Sequence, residues 1–96
     1  MTGLDKNKII HVCQKNGIHR LYLVGSSARI DNDDGSDVDF LVSFSKMSGA
    51  LDQYFNARED LEQITGRKVD LIEESAITNE RFRSGIMRDR VLIYEA

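Results

Sequence analysis

Two aspartates flanking a valine, Asp37-Val38-Asp39, follow a Gly25-Ser26 pair after an intervening run of ten residues. The segment Asp37-Val38-Asp39-Phe40-Leu41-Val42 alternates with period two. Both carboxylates therefore leave one face of a strand while Val38, Phe40 and Val42 point to the other. Acids side by side on a face that also carries Leu41 are costly unless a cation neutralises them. Hard oxygen donors without His or Cys favour magnesium or manganese over zinc, and magnesium commonly pairs one or two protein carboxylates with substrate phosphates. The implied substrate is a nucleoside triphosphate. Upstream, Arg20-Leu21-Tyr22-Leu23-Val24 is β-prone and runs into Gly25, after which Ser26-Ser27-Ala28-Arg29 can open a short helix whose free N–H groups suit a phosphate. Gly25 lets the backbone turn closely under a ligand, Ser26 adds a hydroxyl donor, and Arg29 can reach a phosphate or pair with a neighbouring acid.

A third carboxylate, Asp70, sits in the apolar, β-branched run Lys68-Val69-Asp70-Leu71-Ile72 after a helix stop at Gly66. If that strand lies beside the Asp37 strand, Asp70 can bind the metal or take a proton from an attacking hydroxyl. The plainer alternatives are a strand-edge acid facing water for Asp70, and a solvated turn for Asp31, Asp33, Asp34 and Gly35. A helix-loop-helix calcium site is excluded. With Gly35 at its sixth position, Ile30 and Leu41 would fall at the first and twelfth, and neither offers a carboxylate.

With Gly25-Ser26, Asp37-x-Asp39 and Asp70 in place, the chain resembles the minimal nucleotidyltransferases of the DNA polymerase β-like superfamily. The resemblance extends over nearly the whole chain, from the strand before Gly25 to the closing Val91-Leu92-Ile93-Tyr94-Glu95. It implies an α/β (α+β) fold, a small mixed sheet with helices packed on it. It also implies that Asp37, Asp39 and Asp70 form the catalytic, metal-binding set for two magnesium ions, with manganese as a substitute. Asp70 would assist the acceptor hydroxyl, and Gly25, Ser26 and Arg29 would hold the nucleoside triphosphate, taken as ATP. The family often has a basic or aromatic residue after Gly-Ser and a Gly after Ala-Arg, where this chain has Ser27 and Ile30.

Very short members of the family are often the antitoxin half of a toxin–antitoxin pair whose partner is a helical HEPN-domain ribonuclease. The resemblance thus implies transfer of AMP to a hydroxyl of such a partner, most specifically a tyrosine. Two alternatives belong to other classes: a binding module that neutralises the same partner by contact alone, and an antibiotic nucleotidyltransferase. The latter lacks the helical acceptor-binding domain within these residues.

The elements that must position these groups follow from pattern and punctuation. Thr2 and Asp5 signal a helix start, Leu4, Ile9, Ile10, Val12 and Cys13 supply its apolar side, and Asn16-Gly17 ends it. A strand over about residues 19 to 24 precedes the Gly25 loop. After the Asp37 strand, Gly49 opens a periodic helix in which Leu51, Tyr54, Phe55, Arg58, Leu61, Glu62 and Thr65 share one side, read as core. The Asp70 strand follows, then a helix capped at Thr78 that carries Phe82, Ile86 and Met87, and a last strand from Val91 to Tyr94. The acids are expected on one open face.

Ninety-six residues with an apolar fraction of 41% suit one compact domain, residues 1–96. The formal charge of −3 argues against a general nucleic-acid binder. Only Arg81, Arg83, Arg88 and Arg90 cluster among the basic residues, and solvation or carboxylate pairing is their expected use. Cys13 is the single cysteine, so an internal disulfide is impossible and a core role is expected. His11 and His19 lack partners at metal-ligand spacing and are read as surface or edge residues. With no signal peptide or membrane-length apolar run, the expected location is the cytoplasm, and a homo-oligomer is compatible with the sequence.

Overall fold

A computed structural model describes residues 5–24, 37–45 and 50–96. Helix α1, Lys6–Lys15, starts at Asp5, whose side chain accepts from the Lys8 N–H at 3.2 Å, satisfying one of the donors a helix start leaves open. Thr2 and Leu4 lie outside the described residues. The helix ends where Asn16 N–H reaches Val12 O and Gly17 turns the chain at φ +68°. Its positive φ favours glycine, and a Cβ there would also press on the end of the Gln53 side chain, 2.9 Å away at Nε2, which donates to Asn16 O at 2.7 Å.

Strands β1 (Ile18–Val24), β2 (Val38–Phe44), β3 (Val69–Glu73) and β4 (Val91–Glu95) form one mixed sheet in the order β3-β2-β1-β4. β1 runs antiparallel to both β2 and β4, and β3 runs parallel to β2. The parallel pair requires a crossover, supplied by α2, Ala50–Thr65. Gly66, at φ +68°, ends α2 with its N–H on Glu62 O.

The two faces of the sheet are covered unequally. Leu21, Leu23, Val38, Phe40, Val42, Val69 and Leu71 pack beneath α1 and α2, against Ile9, Val12, Cys13, Ala57 and Leu61. Cys13 is the core residue its neighbours imply, and burial pushes its thiol up to about 12. On the opposite face Tyr22, Val24 and Leu41 meet Ile77 and Ile86, the latter from α3 (Glu80–Asp89). The acid-bearing face is therefore not open throughout. α3 covers part of it, Ile86 packing with Tyr22, Val24 and Leu41, and Asp39 lies beside that cluster, facing Val24.

Two expectations need correction in detail. α2 buries only part of the side anticipated: Leu61 is fully buried and Tyr54 packs against the core, but Leu51 is 71% and Phe55 48% exposed, and Ala57, outside that stripe, is fully buried. The close seat on the sheet goes to a small residue, which lets the helix approach. α3 is capped by Asn79 rather than Thr78, its side chain accepting from Phe82 N–H at 3.0 Å, and Phe82 itself is exposed. No described helix is long and apolar enough to cross a membrane.

Candidate active site

The pleat of β2 sends Val38, Phe40 and Val42 into the larger core and turns Asp39 and Leu41 to the α3 side. The start of this strand is fixed by Val38 N–H donating to Lys68 O at 2.9 Å. β3 is held in turn by Val69 N–H on Glu62 Oε2 at 3.0 Å and by Tyr54 Oη donating to Leu71 O at 2.6 Å. These contacts fit a register in which Asp39 lies beside Asp70 and Val38 beside Val69. Residues in register on neighbouring strands point the same way, so Asp39 and Asp70 share a face. Asp37 immediately precedes β2 and is exposed, as is Asp70, while Asp39 is half-buried.

The electrostatics agree with this proximity. Burial raises the Asp39 carboxyl above its ordinary 3.8, and the negative charges of Asp70 and then Asp37 raise it further. Asp70 and Asp37 thus act on Asp39 at the end of the sheet where β1 finishes, Val24 pairing with Asp39. The next residues, Gly25 and Ser26, and with them Arg29, lie outside the described residues.

A donor set of mutually repelling carboxylates, one of them half-buried, suits a hard divalent cation. Among the described residues no three His, Cys, Asp or Glu side chains assemble into a chelating group by themselves. Magnesium does not demand one, since it keeps waters and takes substrate phosphates beside one or two carboxylates.

Elsewhere, a cleft of about 470 Å³ between α1 and α2 is lined by Lys8, His11, Lys15 and Asp60 among others. It lies on the α1 and α2 side of the sheet, opposite the face of Asp39 and Asp70. The arginine cluster is not simply solvated or acid-paired. Arg83 donates to the carbonyls of Glu74 and Ile77 at 3.2 and 3.4 Å, and Arg90 lies over the ring of Tyr22, 4.9 Å from its centroid. Glu62, read from its spacing as one more residue of the α2 stripe, turns out to hold the start of β3. Only the tertiary meeting of α2 with β3 reveals that use.

The family model described as polymerase beta, nucleotidyltransferase matches residues 7–96. A protein of Methanocaldococcus jannaschii, provisionally named a protein adenylyltransferase, is 32% identical over 87 residues, covering 91% of this chain and 86% of its own length. A solved structure provisionally described as a minimal nucleotidyltransferase is similar with a TM-score of 0.76 and 27% identity, over 90% of this chain and 86% of that one. A chain from a complex described as tri-AMPylated Shewanella oneidensis HEPN toxin with MNT antitoxin is similar in fold, with a TM-score of 0.67 and 17% identity, over 95% of this chain and 70% of that one.

Proposed function

Because this chain belongs to the polymerase beta nucleotidyltransferase family, and so is a nucleotidyltransferase, we propose that it moves AMP from ATP onto a hydroxyl of a HEPN-domain toxin and so acts as its antitoxin. The observation that carries this reading is the pairing of Asp39 with Asp70 in register, with the charge of Asp37 felt at Asp39. The M. jannaschii relative supports adenylyl transfer to protein, and the AMPylated toxin complex supports both the transferred group and the partner.

In the proposed reaction the acceptor oxygen bonds to the α-phosphorus, the bond from that phosphorus to the bridging oxygen of the β-phosphate breaks, and pyrophosphate leaves. Asp70, exposed beside Asp39, takes the hydroxyl proton or orients the hydroxyl for its loss. Asp37 and Asp39 would hold magnesium, which would supply charge neutralisation at the phosphates. Gly25, Ser26 and Arg29 hold the triphosphate by backbone and side-chain donors.

The test is incubation of the purified chain with a HEPN-domain protein from the same organism, magnesium and ATP labelled at the α-phosphate. Label on the partner with the parent chain and none with Asp39→Asn is the expected result. Equal inhibition of the partner by both proteins, without label, would mean that the chain acts by contact alone.

A further inference from the structure

The face that carries Asp39 also carries Tyr22 and Leu41, which stand opposite each other on β1 and β2. Val24 and Asp39 form the facing pair two residues further along. Strand spacing and rise put the backbone positions of Asp39 and Tyr22 roughly 8 Å apart. Over Tyr22 lies the guanidinium of Arg90, 4.9 Å from the ring centroid, and Arg90 also contacts the sulfur of Met87. Arg90 is the residue that ends α3, and Val91 immediately after it pairs with Leu23. α3 therefore delivers this cation to the acid-bearing end of the sheet, on the β1 side, next to where the chain leaves β1 toward Gly25.

Arg90 is exposed and forms no salt bridge with a described carboxylate. Its planar head is held by an aromatic ring, a contact that restrains the side chain without consuming its charge. A guanidinium held in this way loses little freedom when it accepts an anion, and its five donors match phosphate oxygens. Resting on the nucleotidyl-transfer reading above, we infer that Arg90 is a phosphate-binding residue of the nucleotide site. Its stack on Tyr22 holds it opposite the carboxylates, where it meets the β- and γ-phosphates of the incoming triphosphate. The acids and the arginine then bracket one ligand, Asp39 and Asp70 on the β2 and β3 side, where a divalent cation would neutralise their charge, and Arg90 by a direct ionic contact on the β1 side.

The test measures Kd for ATP, ADP and AMP in the presence of magnesium, by calorimetry, for the parent chain and for Arg90→Gln, Arg90→Lys and Tyr22→Leu. Arg90→Gln is expected to weaken ATP by about tenfold or more, the scale of one lost charge-assisted contact, and to leave AMP nearly unchanged. Arg90→Lys should recover part of the loss, and Tyr22→Leu should lie between Arg90→Gln and the parent. Arg81→Gln, at the far end of α3, should match the parent throughout. Equal weakening of ATP and AMP would overturn the phosphate role in favour of contact with the nucleoside. ATP binding unchanged in Arg90→Gln would overturn any nucleotide role for Arg90 while leaving the transfer reading in place, whereas a parent chain that binds no ATP overturns both. Should Arg90→Gln fail to fold, the ratio of ATP to AMP affinity in Arg90→Lys decides: an unchanged ratio overturns the proposal.

Discussion

The two faces of this sheet are built for different ends. Beneath α1 and α2, strands β1, β2 and β3 contribute an unbroken apolar surface from Leu21 to Leu71, and α1 alone buries Ile9, Val12 and Cys13. The other face carries a smaller apolar cluster, in which Tyr22, Val24 and Leu41 meet Ile77 and Ile86. At one end it carries Asp37, Asp39 and Asp70, and burial and the charges of Asp70 and Asp37 raise the carboxyl of Asp39. The first face stabilises the fold and the second spends some of that stability on a charged site. The difference teaches why so small a chain carries two helices on one side: a face that must stay accessible at one end cannot supply a full core.

The most severe way to break this division is to damage the closed face. Phe40 is fully buried between the helices and the sheet, and Phe40→Ala should cost about 3–5 kcal/mol, the range for deleting a buried aromatic ring. Chemical denaturation followed by circular dichroism measures the loss. A cost near that of a surface change would mean that the face under α1 and α2 is not the principal core. Because a small domain has only about 5–15 kcal/mol in total, this variant should sit near the edge of folding.

A smaller effect separates the helices by what lies beneath them. Asp5 and Asn79 cap α1 and α3 with equivalent side-chain bonds, and replacing either by Ala should cost about 1 kcal/mol. The consequences should differ in reach. α1 buries three residues and α3 only Ile86, so Asn79→Ala should speed amide hydrogen exchange within α3 alone, while Asp5→Ala lowers protection across the molecule together. Uniform loss in both variants would mean that α3 is as firmly seated as α1.

Much of this arrangement is legible in the sequence, for identifiable reasons. Asn16-Gly17 and Gly66 mark helix ends because only glycine takes their backbone conformation easily, and the alternation after Asp37 assigns each side chain of β2 to a face. The phase of α2 is not legible in the same way. Leu51 and Phe55 outweigh Ala57 in any hydrophobic reading, yet the close packing of helix on sheet selects the small residue, and the large ones remain exposed. The carboxylate site is half legible. Residue types and spacing single out Asp37, Asp39 and Asp70, but the register that sets Asp70 beside Asp39 is a tertiary fact. So is the placing of Arg90 over Tyr22, since the two are far apart in sequence and no local pattern joins them. Gly25, Ser26 and Arg29, singled out with equal force, lie outside the described residues.

The smallest effect has the opposite sign and bears most directly on the charged end. The folded state holds the Asp39 proton more tightly than the unfolded chain does, because burial and the charges of Asp70 and Asp37 raise its carboxyl above 3.8. Between that ordinary value and the raised one, the native state binds more protons, so stability falls as pH rises through the window and the penalty is complete above it. Asp39→Asn keeps the shape and removes the charge. In the absence of divalent cations the variant should therefore melt higher than the parent at neutral pH. The gain should be smaller than the loss of a cap, because solvent screens a half-exposed carboxylate. Lowering the pH below the ordinary carboxyl value, to about pH 3, should erase the difference, since the parent side chain is then neutral as well. Melting curves of both proteins in chelator at the two pH values check this. A variant that melts lower than the parent at neutral pH would show that Asp39 is held by stabilising contacts outweighing the repulsion, and that this end of the sheet is not spending stability on charge.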